Sequence, residues 1–257
     1  MVRLALAPML PLRLHVGTSG YNFPEWKGSF YPPKLPSAKW LEYYAQQLRT
    51  VEINYTFYRM PSAKTIAGWD AVTPAEFTFV LKAPQRITHF MRLRNIDEPL
   101  RLFLDTIRKL NAKLGSVLFQ LPPNFAKDLG RLGDLLTQFP PDVRAACEFR
   151  HASWWSDDVY ELLRSTNTAL CIADTEEGTT PMVATADFGY VRLRDEGYSE
   201  EGLRAWIQKV QALGSAWTDA YVFFKHEEQG VGPKLAREFL RLAQGTPTPP
   251  TPESGRK

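Results

Sequence analysis

Short runs of alternating apolar and polar residues, rich in β-branched and aromatic side chains, recur along the chain between stretches with helical spacing. The runs fall at 14–19, 50–58, 77–83, 115–121, 144–150, 169–174, 188–194 and 220–226. Helical spacing appears at 40–48, 63–71, 99–112, 127–139, 157–165, 200–213 and 233–243. Strands that alternate with helices predict a parallel sheet covered by helices. Eight such units predict an α/β fold, a single (βα)8 TIM-type barrel. Segment 175–187 is too short and broken for a full helix, so the helix between strands six and seven is expected to be irregular or missing.

A length of 257 residues suits one barrel. Residues 1–13 read as a loose N-terminal extension, 14–244 as the barrel, and 245–257, with Pro247, Pro249, Pro250 and Pro252, as a disordered tail. A net charge of +3 is too mild to argue for a nucleic-acid or membrane partner. No run reaches the roughly 18 apolar residues of a membrane span, so no membrane partner is expected and the cytoplasm is the default compartment. Cys147 and Cys171 lie in apolar runs without CxxC spacing, and reduced core thiols are expected. Gly17-Thr18-Ser19-Gly20 supplies no dinucleotide fingerprint, and a P-loop is absent, so no nucleotide cofactor motif is present.

Barrel enzymes gather function at the C-terminal ends of their strands. Counting alternate positions there places Val51, Ile53 and Tyr55 toward the helices and Glu52 and Asn54 inward. The same count turns Lys82, Gln120, Glu148, Arg150, Arg192 and Arg194 inward. Four cations and two carboxylates then share one mouth. Charges removed from water must be paired, and the positive excess invites an anionic ligand. Arginine grips a phosphate or carboxylate with two hydrogen bonds. A structural ion-pair network filling the mouth is the competing reading.

The loop at 21–39 adds Tyr21, Phe23, Trp26, Phe30 and Tyr31, aromatics that either stack on a ligand or pack down as a plug. His15 opens a strand and belongs to the opposite, stabilising end. His89, His151 and His226 follow strands three, five and eight, at the correct end for proton transfer. No HxH or HExxH spacing supports a metal. A divalent ion still has weak candidate ligands in Glu148, Asp174 and His226.

The stretches VGTSGYNFPEWKGSFYP, TVEINYTFYRMP, FVLKAPQRITH, LFQLPPNF, CEFRHASWW and YVRLR resemble the YecE-like family, domain of unknown function 72, from about Leu14 to Ala243. The resemblance implies a TIM-type barrel and no settled activity. By motif it carries over Gly17, Ser19, Gly20, Glu52, Asn54, Thr56, Phe57, Tyr58, Lys82, Thr88 and His89. From the later motifs come Gln120, Pro122, Glu148, Arg150, His151, Trp154 and Arg192. Where such proteins usually read YVRLHG and FNN, this chain has Tyr190-Val191-Arg192-Leu193-Arg194-Asp195 and Phe224-Lys225-His226. Its mouth is therefore more cationic than is usual for the family.

The leading expectation is an enzyme, hydrolase or lyase, acting on a small anion. Glu52 or Glu148 would be acid or base, with His151 or His89 assisting. Lys82, Arg150, Arg192 and Arg194 would hold the anion, and Asn54, Tyr58, Gln120, Tyr21 and Trp26 would complete the binding set. Two rivals stand beside it: a nucleic-acid-binding or metal-dependent nuclease-like barrel, and a ligand-binding protein without catalysis.

Overall fold

The computed structural model describes residues 12–245 except Glu177 and Glu196. The expected N-terminal extension and proline-rich tail lie almost wholly outside those residues. Arg13, assigned to the extension, already opens the first strand.

Eight parallel strands form the barrel: β1 Arg13–Ser19, β2 Thr50–Ile53, β3 Thr78–Lys82 and β4 Leu114–Gln120, then β5 Ala145–Glu148, β6 Ala169–Thr175, β7 Phe188–Leu193 and β8 Asp219–Phe224. Each pairs with its sequence neighbour and β8 returns to β1, so the sheet closes on itself. The helices are α1 Trp40–Gln47, α2 Tyr55–Tyr58, α3 Ala63–Ala71, α4 Asp97–Ile107, α5 Leu129–Leu136, α6 Asp157–Ser165, α7 Glu200–Leu213 and α8 Val231–Ala243. The expected α/β barrel is the fold observed.

Period-two alternation divides the core into two. Val51, Ile53, Phe79, Leu81, Val191 and Leu193 join the layer beneath the helices. Val80, Leu118, Ala146, Cys171, Tyr190 and Phe223 fill the barrel interior. A Cβ on Gly17 would lie 2.1 Å from the Thr50 carbonyl oxygen, so only glycine lets β1 approach β2 this closely. Both cysteines are free and buried, and burial pushes the Cys147 thiol up to about 12.

Among the described residues no helix connects β6 to β7. A two-residue strand, Gly178–Thr179, turns back antiparallel on the end of β6. Two threonines then pin the connection to β6: Thr180 Oγ1 accepts from Ala173 N–H (3.2 Å), and Thr185 Oγ1 accepts from Leu170 N–H (2.7 Å).

The second strand is shorter than its pattern implies. It ends at Ile53, and Tyr55–Tyr58 is a helical turn. The aromatic and β-branched residues favour a strand, but Thr56 Oγ1 donates to the Lys82 carbonyl (2.7 Å) and fixes the turn against β3. Tyr55 therefore leaves the helix-facing row of Val51 and Ile53 and stands exposed at the mouth. Strands β5, β7 and β8 likewise stop before Arg150, Arg194 and His226. The ladder runs slightly further, since Arg194 N–H donates to Asp174 O and Lys225 N–H to Leu193 O (both 3.0 Å). At the opposite end His15 contacts Asp219 (2.9 Å) and stacks on Tyr221, a stabilising cluster as expected.

Candidate functional site

The barrel centre holds a dense ionic floor. Arg192 on β7 lies between two carboxylates from distant strands. Its Nη2 donates to Glu52 Oε1 (2.8 Å) and its Nη1 to Glu148 Oε2 (2.5 Å). Glu52 also accepts from the hydroxyls of Ser19 (2.6 Å) and Tyr190 (2.7 Å). Glu148 further accepts from Arg150 Nε (3.0 Å), with Arg194 at 3.7 Å. Glu52, Glu148 and Arg192 are all fully buried. For these three the structural network is the better account, because most of the acceptor capacity of each carboxylate is already used.

The floor alters the expected chemistry. Burial alone would raise the Glu148 carboxyl, but Arg192, Arg150 and Arg194 outweigh it and hold the group down at about 2. Glu148 is therefore held in its ionised form rather than tuned toward neutral pH. Glu52, closed in by three donors, does not line the cavity above.

That cavity, about 800 Å³, opens at the C-terminal ends of the strands. Lys82, Arg150, Arg192, Arg194 and Lys225 line it, with Glu227 on its wall. Asn54, Gln120, Tyr21, Tyr58 and His89 line it too, so most of the expected binding residues converge. Arg150 and Arg194 also border a second cavity of about 620 Å³, on the side of the missing helix.

Lys82 is 8% exposed, and its Nζ sits 4.0 Å from the Phe57 ring centroid. Among the described residues it forms no ion pair. Burial and the charge of Arg192 lower its ammonium to about 8, against the opposing pull of Glu52 and Glu148. His89 comes from a single π-helical turn, Arg86–Phe90, that follows β3. Its Nδ1 contacts Thr88 Oγ1 (2.9 Å), and its ring meets Phe57 edge-on. Burial, Lys82 and Arg150 hold its pKa below the ordinary value, which favours the neutral ring.

Other expectations fail for identifiable reasons. Trp26 is fully buried and does not line the cavity; its Nε1 donates to Glu227 O (2.9 Å), tying the aromatic loop to the turn after β8. Phe23, Phe30 and Tyr31 pack around it, so this part of the loop is a plug. His151 lies outside the cavity, where its Nδ1 accepts from Ser153 N–H (3.2 Å) and caps the turn Ala152–Trp154. The metal candidates are not brought together. Asp174 accepts from Tyr198, Thr179 and Trp206, and His226 Nε2 contacts Asp195 O (2.7 Å). Among the described residues no group of three or more His, Cys, Asp or Glu side chains could hold a metal ion, and no helix is long and apolar enough to cross a membrane.

Lys225 and Phe57 are among the cavity residues outside the expected catalytic and binding set. Lys225 follows directly from counting by two from the inward Phe223. Phe57 was carried over by motif alone; strand periodicity could not place it, because its position depends on the turn that ends β2.

The sequence-family model "Protein of unknown function DUF72" matches residues 15–256. The UPF0759 protein YunF of Bacillus subtilis is 27% identical over 270 aligned positions, covering 89% of this chain and 94% of that protein. YecE of Escherichia coli K12 is 28% identical over 144 positions, 56% of this chain and half of that protein's length. The crystal structure of a DUF72 family protein from Thermotoga maritima superposes with a TM-score of 0.77 at 28% identity, over 90% of this chain and 99% of that one. An Enterococcus faecalis DUF72 structure, at 18% identity and a TM-score of 0.75, covers 90% of this chain and 95% of its own, and supports the fold alone. Motifs, barrel and family match agree: the chain belongs to the DUF72 family of proteins of unknown function.

Proposed function

We propose that this protein is an enzyme that takes a small phosphate- or carboxylate-bearing substrate into the mouth of the barrel. The observation that carries the reading is the charge balance. Among the described residues, five cations line the cavity against Glu227 on its wall and Glu52 and Glu148 in the floor, an excess of two positive charges. Arg192 is consumed by the floor, and Arg150 lends it only its Nε. Arg194, Lys82, Lys225 and the remaining nitrogens of Arg150 are then the groups that face an anion. With Glu148 held ionised, proton transfer falls to His89 and Lys82.

The test is a thermal-shift series with inorganic phosphate, phosphorylated metabolites, carboxylates, divalent metals and short oligonucleotides. A ligand at a hundred times its dissociation constant stabilises by about 2.7 kcal/mol. The expected result is a small-anion shift that disappears in Arg150→Ala and Arg194→Ala. A shift that survives both substitutions, or oligonucleotide binding with steep salt dependence and no small-anion response, refutes the proposal.

A further inference from the structure

We infer that Lys82 is a nucleophilic amine that condenses with the carbonyl group of a small anionic aldehyde or 2-oxo acid held by Arg150 and Arg194. The inference rests on the anion-pocket reading above and adds the substrate class.

Three features of the site point to this chemistry. Lys82 lies at the C-terminal end of β3, where it lines the cavity and, among the described residues, no carboxylate pairs with it. The side chain is buried, with the Phe57 ring over it at 4.0 Å, so the amine is largely withheld from water despite the cation–π contact. Further cations line the same cavity, as in other sites where a desolvated lysine near a second cation becomes a nucleophile. A lysine retained only to attract anions would do so best fully charged. This one sits near pKa 8, so at neutral pH its free-amine fraction exceeds that of a surface lysine on the order of a hundredfold.

The step balances without a cofactor. The amine lone pair forms a C–N bond to the carbonyl carbon while the C–O π electrons move to oxygen. One proton passes from nitrogen to that oxygen, and a second, from solvent or a protonated neighbour, lets the oxygen leave as water. A protonated imine remains on Lys82. His89 lines the same cavity and is the side chain placed to relay these protons. The arginines supply orientation and hold the carboxylate or phosphate, which ordinary surface lysines lack.

Reductive trapping of the full-length protein with cyanoborohydride tests the inference, using pyruvate and glyoxylate as anionic probes and glycolaldehyde as the neutral control. The melting shift with each probe is recorded first, without reductant. The expected result is one reduced adduct per chain, mapped to Lys82, forming at least about tenfold faster than on surface lysines and accelerating as pH rises toward 8. Lys82→Met and Lys82→Arg, each checked for a cooperative melt, lose it, and Arg194→Ala slows it. If the carboxylates shift the melt but Lys82 stays unmodified, the amine role is overturned and the anion pocket stands. If glycolaldehyde labels Lys82 as fast as glyoxylate and neither carboxylate shifts the melt, the anionic substrate class and the anion pocket fall together.

Discussion

Replacing Lys82 with methionine is expected to stabilise the fold. The ammonium is held at about 8 rather than its ordinary 10.5. At 1.36 kcal/mol per pKa unit, keeping it charged in the folded state at pH 7 costs about 3 kcal/mol. Methionine has a similar length, keeps the contact with Phe57 and removes the charge. It forfeits a cation–π contact worth about 1 kcal/mol. The net gain is about 2 kcal/mol, or a rise in Tm of about 5 °C for a domain of this size. The sign of the pH dependence follows from the lowered pKa. The penalty is fully present below about 8 and fades as the unfolded-state lysine also loses its proton toward 10.5. Urea and thermal melts of wild type and Lys82→Met at pH 7 and pH 10.5 would therefore show a large difference at the first pH and almost none at the second. A variant less stable than wild type at pH 7, or a gain that persists at pH 10.5, refutes the reasoning.

Two further outcomes follow from the ionic floor. Arg192→Met leaves Glu52 and Glu148 buried without their shared partner and is expected to cost about 3–5 kcal/mol in urea unfolding. Adding Glu52→Gln and Glu148→Gln should restore most of it. Glu148→Gln alone removes a carboxylate held near 2 instead of 4.5, a contribution of about 3 kcal/mol present above pH 4.5 and lost as pH falls toward 2. Wild type should lose stability across that window in acid melts, and the variant should lose much less.

The inward–outward alternation was legible because a strand period of two is rigid over four to seven residues. Glu52, Lys82, Gln120, Glu148 and Arg192 needed nothing more. Residues beyond the strand ends depend on hydrogen bonds that no local pattern encodes. Thr56 bonding to the Lys82 carbonyl turns Tyr55 away from the helix layer, and Trp26 reaching the Glu227 carbonyl buries a side chain that composition alone offers to a ligand. Charge type was also readable, but partner choice was not. That one arginine would satisfy both carboxylates, releasing Lys82 and Lys225 to the cavity, depends on where β2, β5 and β7 meet across the barrel.

The bridge made by Arg192 also constrains the order in which the chain can assemble. Glu52 is on β2 and Glu148 on β5, and the cation that neutralises both arrives only with β7. A folding chain that has built β1 to β4 holds Glu52 with Ser19 as its sole partner from this set, an uncompensated charge that water would reclaim. Half-barrels are thereby penalised, and the interior can dehydrate only when the ring is nearly complete. Closure is cooperative by electrostatic necessity, and a truncation before β7 should leave an open, hydrated chain rather than a stable subdomain.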